Sequence, residues 1–327
     1  MNQASADLYL ADVAMKTSDS SVDGDYVERY GETYYRIRNY DQMPSFFMSV
    51  VSSSDHWLFI SSTGGLSAGR VDADNALFPY ETDDKITAGS EQTGSKTIIH
   101  AHQAGRARLW EPFSNRYAGL YDCERHLYKN IYGNKLIFEE INHDLQLTFR
   151  YAWRTGDRFG FIRSSWLENL GADACRVQLL DGLQNILPFG ASAPLQSTFS
   201  NLLNGYKRNE LDATTGLGIF ALSATLTDRA EPSESLMATL AWQTGLEPTG
   251  YLLSDDQLDT FRRGGTIRPE TDVRGRPGAY LINATMALAP SETRHWHIAA
   301  DVNQDSRHVA NLVHLLATEG AQVERQL

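Results

Sequence analysis

Residues 145–153 read LQLTFRYAW, and their apolar members recur at every second position. Leu145, Leu147, Phe149, Tyr151 and Trp153 fall on one face, Gln146, Thr148 and Arg150 on the other. Successive side chains of a β-strand point to opposite sides, so this spacing predicts a strand with one buried and one wet face. Ten further short apolar or alternating stretches lie at 46–52, 57–61, 96–102, 135–138, 159–168, 176–180, 218–226, 236–242, 279–288 and 295–301, separated by Gly, Asn, Asp and Pro. Helical patterning is scarce before residue 300. It is confined to 195–203 and to 255–262, where Asp255 is a candidate cap and Leu258 and Phe261 share a face. Eleven strand candidates without alternating helices predict an all-β chain with extensive antiparallel pairing.

The end of the chain reads differently. After HWHIAAD, Asp305 or Ser306 can cap a helix in which Val309, Leu312, Val313 and Leu316 recur at i, i+3, i+4 and i+7, with Gly320 as its stop. That apolar stripe needs a surface: either the preceding sandwich or a following domain.

With 327 residues, 42% of them apolar, the chain can bury a sizeable core as one very large domain or two. The net charge is −12 and no run of five or six like charges occurs, which argues against nucleic acid as a partner. Cys123 and Cys175 have neither a metal-site spacing nor a disulfide framework, as expected of a reducing compartment. The opening MNQASADLYLADVAMKTSDS has no basic stretch followed by an apolar one, and no 18-residue apolar run follows elsewhere. These features predict a cytoplasmic chain with no membrane partner.

Three places carry polar chemistry. SSTGGLSAGRVDADNALFPY, residues 61–80, concentrates Gly64, Gly65 and Gly69 with Arg70, Asp72 and Asp74, and suits either a loop beside a ligand or a strand corner with solvated charges. DGLQNILPFG, residues 181–190, holds Asp181, Gln184 and Asn185, groups that match sugar hydroxyls but equally bridge loop backbone. Trp110, flanked by Arg106, Arg108 and Glu111, is placed on a loop at a ligand rim, because aromatic faces stack on sugar rings. The pairs His100/His102 and His295/His297 share strand faces but lack a third ligand, so no metal is assigned. Glu139, Glu140, Glu231 and Glu234 are carboxylates of the type glycosidic chemistry uses, yet adjacency in sequence does not supply its geometry. No nucleotide loop or serine-nucleophile motif is present. No residue is assigned as catalytic, and no cofactor is implied.

Several segments together resemble a known family. FFMSVVSSSDHWLFISSTGGLSAGRVDADNALFPY resembles the amino-terminal β-supersandwich of cellobiose phosphorylase-like enzymes. WRTGDRFGFIRSSWLENLGADACRVQLLDGLQNILPFG, LDATTGLGIFALSATLTDRAEPSESLMATLAW and HWHIAADVNQD resemble a long branch of the same group. The resemblance implies a large two-sheet antiparallel supersandwich of the galactose mutarotase-like kind over residues 26–303, after an extension at 1–25. A linker helix at 304–327 would then lead to an (α/α)6 barrel that carries the general acid. It further implies an oligosaccharide or disaccharide ligand, inorganic phosphate as a co-substrate of the parent enzyme, and pairing as a homodimer in which loop 63–75 touches substrate without performing chemistry. Two other functions suit the same fold: a self-contained mutarotase-like epimerase, or a stand-alone carbohydrate-binding module.

Overall fold

The computed structural model describes residues 8–16, 21–224 and 237–327, so the candidate carboxylates Glu231 and Glu234 lie outside the described residues. The alternation at 145–153 becomes the strand Leu147–Gly156, near the middle of an eleven-stranded sheet. The order across that sheet is Asp272–Arg274, Lys207–Asp212, Leu217–Leu222, Met237–Thr244, Thr293–Asp305, Gly160–Asn169, Leu147–Gly156, Leu136–Asn142, Cys123–Asn130, Glu32–Arg38 and Asp23–Arg29. Facing it is a second layer made of two sheets. One has five strands, in the order Arg106–Trp110, Gly94–Gln103, Cys175–Ile186, Gly278–Leu288 and Pro248–Leu252. The other has four: Phe47–Val50, His56–Ser61, Leu66–Arg70 and Ala76–Phe78. These two sheets meet where the Leu187 amide donates to the Leu77 carbonyl at 2.9 Å. The strand pairings are antiparallel throughout, and the architecture is an all-β sandwich.

The core fills the space between the layers. Leu147, Phe149, Tyr151 and Trp153 point into it with Phe161 and Ile298, and meet Ile99, Val177, Leu179 and Ile282 of the five-stranded sheet and Leu58, Ile60 and Phe78 of the four-stranded one. Each such side chain contributes about 1.5–3 kcal/mol through removal from water. At the centre of this apolar layer sits an ion pair with no exposed surface, Arg163 and Asp181. Asp181 accepts from the Arg163 guanidinium at 2.8 Å, from Thr97 Oγ1 at 2.6 Å and from the indole of Trp296 at 2.6 Å. Arg163 also donates to the carbonyl of Gly182 at 3.2 Å and lies over the Tyr151 ring. Gly182 is required by close approach, since a Cβ there would stand 1.9 Å from the Tyr280 carbonyl oxygen.

The helix Ser306–Glu324 lies on the outer face of the large sheet, with Val309, Leu312, Val313 and Leu316 against Phe159, Ile162, Leu240 and Trp242. Asp305 caps it by accepting from the His308 amide at 2.8 Å. Gly320 does not stop it; the helix kinks at Glu319, φ −129°, and runs on to Glu324. The pattern at 255–262 yields the shorter helix Leu258–Arg262, whose cap position is Gln257 rather than Asp255, with Leu258 and Phe261 buried as expected. The pattern at 195–203 divides into Ala193–Ser197 and Ser200–Tyr206. Both cysteines are free thiols. Among the described residues no helix is long and apolar enough to cross a membrane.

Removing one member of a fully buried ion pair strands the other charge in the core, at a cost of about 3–5 kcal/mol. Asp181→Ala is therefore expected to lower the unfolding free energy in urea by that amount. A loss below about 1 kcal/mol would show that the pair does not join the layers.

Candidate functional site

The structure disperses the sequence-predicted site residues. Asp72 caps the turn Ala73–Asn75, accepting from the Asp74 amide at 3.1 Å and the Asn75 side chain at 2.7 Å. Asp74 accepts from the Ala193 amide at 2.7 Å. Arg70 ends the strand Leu66–Arg70 and bridges Asp55 and Asp301, each at 3.0 Å. Asp181 belongs to the core pair and faces no solvent. The strand Cys175–Ile186 continues through the stretch that the sequence suggests is a transition to a turn, with a bulge at Asn185, φ 57°. Gln184 donates from there to the Glu91 carbonyl at 3.2 Å, and Asn185 to Thr93 Oγ1 at 3.0 Å. These groups satisfy backbone and neighbouring side chains, as buried amides and carboxylates do.

Trp110 is the one residue of the seven that lines a sizeable cavity. It ends the strand Arg106–Trp110 rather than standing on a loop, and is 2% exposed. The cavity holds about 200 Å³ and lies beneath the segment 111–123. Glu140, on the strand Leu136–Asn142, organises its floor. It accepts from the Trp110 indole at 2.7 Å, from the Phe113 amide at 2.6 Å and from Arg125 Nε at 2.8 Å. Arg125 then donates to Asn115 Oδ1 at 2.8 Å and the Ser114 carbonyl at 2.9 Å, tying the loop to the sheet. Glu111 lies deeper and takes both Nε and a terminal nitrogen of Arg262 at 2.9 Å. Burial pushes the Glu111 carboxyl up, but the bonds and charges of Arg262 and Lys96 outweigh it and hold the group below its ordinary range. The mouth is polar and varied: Lys16, Asp41, Gln42, Asn115, Tyr117 and Asp122.

This arrangement favours binding over proton transfer. Glu140 is filled by three fixed donors, and Glu111 is clamped by two cations, so both carboxylates are committed within the protein. No histidine lines the cavity. Amides, hydroxyls and charges of both signs around an aromatic floor match the paired donor and acceptor character of sugar hydroxyls. The volume is below the ~300 Å³ at which drug-sized sites begin, so it suits one sugar ring rather than a chain. Glu140, Asn115 and Arg125 were not legible as a group. The aromatic and polar density of WEPFSNRY was the only local signal, and Arg125 and Glu140 join it through strand pairing alone.

No family model matches the sequence, and no curated protein matches it. Among solved structures, a polysaccharide lyase is similar at 11% identity and TM-score 0.43, over 83% of this chain and 34% of that one. A bacterial glucoamylase complexed with acarbose is similar at 10% identity and TM-score 0.38, over 96% and 38%. A protein described as an aldose 1-epimerase, from Escherichia coli K12, is similar at 11% identity and TM-score 0.38, over 80% and 99%. The chain thus spans little more than a third of the first two, and likenesses this distant do not bear on function.

Arg70 and Asp301 supply a pH-dependent test of the corner. Burial raises the Asp301 carboxyl from its ordinary 3.8 to about 6, against the opposing pull of Arg70. The folded chain then holds this proton more tightly than the unfolded chain, so the associated stability is full below 3.8 and is lost as pH rises through about 6. In urea titrations the stability of the wild type relative to Asp301→Asn is expected to fall between about pH 4 and 7. A difference that is flat, or that rises, would contradict the burial of this carboxylate.

Proposed function

We propose that this chain is a carbohydrate-binding β-sandwich of a glycoside phosphorylase or glycosidase, and that the Trp110 cavity seats one sugar ring. The sandwich contributes to a sugar-binding rim without supplying the catalytic acid. The observation that carries this reading is the state of Glu140: a carboxylate at a sugar-sized cavity, already saturated by Trp110, Phe113 and Arg125. Such a group fixes the shape of a site, its lone pairs being already taken by these donors. The resemblance to cellobiose phosphorylase-like enzymes supports the same division of labour, with an (α/α)6 barrel bearing the acid and phosphate or water as the nucleophile. A mutarotase-like epimerase would instead need a base and an acid facing one cleft; among the described residues no histidine lines this cavity, so an epimerase site would have to lie elsewhere on the sandwich.

Calorimetry with glucose, cellobiose and maltose tests the reading, beside NMR of anomer interconversion and assays for glycoside cleavage with and without phosphate. Binding is expected near ~1 mM, about −4 kcal/mol, weakened about tenfold in Asn115→Ala and in Gln42→Ala. Anomer exchange and cleavage by the chain alone are expected at the uncatalysed rate. Turnover of any of these sugars by the chain alone would overturn the assignment.

A further inference from the structure

The outer face of the large sheet carries a second polar assembly, separate from the Trp110 cavity. Strand pairing sets Arg150, Trp166 and His295 in one row, and Ala152, Ser164 and His297 in the next. Arg154 follows Ala152 on the same face by the two-residue repeat of its strand. The turn that joins the edge strands Asp23–Arg29 and Glu32–Arg38 reaches back over this face. Tyr30, at φ 50°, stacks on Trp166 with ring centroids 5.3 Å apart and planes 18° from parallel. An edge hairpin can touch a strand that far across the sheet only if the face is concave. On the other side the groove is bounded by the terminal helix, where Glu324 lies 3.9 Å from His295.

Among the described residues, one cation in this groove has no carboxylate partner. Glu139 is taken by Arg150, Arg29 and the Tyr128 hydroxyl, and Glu168 by Arg150. Glu32, the acid whose charge acts on Arg154, is held by Lys135 at 2.6 Å and by the Tyr34 hydroxyl at 3.1 Å. Arg154 therefore has no carboxylate of its own among the described residues, in a chain whose net charge is −12. His297 adds no second cation. Burial, with Arg154 and His295 beside it, lowers its imidazole to about 4, and Nδ1 pairs with Ser164 Oγ at 2.8 Å. Tyr30 is 58% exposed, so the aromatic ledge is open to solvent.

We propose that this groove binds a sugar bearing an acidic substituent, a uronate or a sugar phosphate. Arg154 takes the negative group, the neutral His297 meets a hydroxyl, and the Tyr30–Trp166 ledge borders the ring; Ser164, which is buried, orients His297 through its Nδ1. A desolvated guanidinium facing an anion forms the stronger, charge-assisted kind of hydrogen bond, so the acidic group selects the ligand. This site is independent of the Trp110 cavity, which is suited to neutral sugars.

The test is calorimetry of the whole chain at low salt with glucuronate, glucose 6-phosphate, glucose and inorganic phosphate. At least one acidic sugar is expected to bind about tenfold tighter than glucose and than phosphate alone. Arg154→Gln is expected to remove that advantage, Arg154→Lys to restore part of it, and Asn115→Ala to leave it intact. Which acidic sugar wins identifies the substituent. Equal binding of glucose, equal binding of bare phosphate, or an unchanged preference in a folded Arg154→Gln protein would each overturn the proposal. Loss of neutral-sugar binding in Asn115→Ala alone reports on the other cavity.

Discussion

A carboxylate placed at the centre of an all-β sandwich must be answered there, because water cannot reach it. Asp181 is answered by Arg163 and Trp296 from the large sheet and by Thr97 from its own layer. The cost of desolvating two charges is offset only by good geometry and hydrogen bonds, and here Asp181 takes three donors while Arg163 Nε is left without a partner among the described residues. This constraint fixes how the layers face each other. A shift of either sheet by one residue would turn Asp181 or Arg163 outward and bring its neighbour inward. Hydrophobic burial supplies the bulk of the stability, while the pair specifies the register in which that burial occurs.

The same rule recurs nearer the surface and sets what the chain can do. Glu111 is answered by Arg262 and Lys96, Glu139 by Arg150 and Arg29, and Glu140 by Arg125 and the Trp110 indole. Buried acids committed in this way shape cavities and hold loops. Arg154 departs from the pattern, and its spare charge marks the concave outer face as a place where a ligand can complete the set.

Much of the architecture was legible because one-sided strands announce themselves. LQLTFRYAW has five core residues at alternate positions, and the structure buries all five, but the face expected to be wet is largely covered, since Thr148 and Ala152 are buried there too. The strands Asp23–Arg29 and Glu32–Arg38 were not legible. Their sequences are mostly charged and tyrosine-rich, and they pair at the sheet edge through contacts such as Arg36 with Asp25. The site was legible only in part. Trp110 lines a cavity, but from a buried strand end rather than from a loop at a rim, and Asp181 was drawn inward by Trp296, 115 positions away, a partner that nothing local in DGLQN records. Asp72, Asp74, Gln184 and Asn185 illustrate why polar side chains in such stretches are ambiguous: backbone groups take the first three and the Thr93 hydroxyl takes Asn185.

The six tryptophans give a direct reading of the central claim, that the Trp110 cavity receives a neutral sugar ring while the core stays closed. In a nitrogen-15 NMR spectrum the Trp110 indole, hydrogen-bonded to Glu140 at the cavity floor, is expected to shift as cellobiose is added. The buried indoles of Trp153 and Trp296 are expected to stay in place. A Trp110 resonance that does not move at saturating cellobiose, with shifts appearing at Trp57 or Trp242 instead, would contradict it.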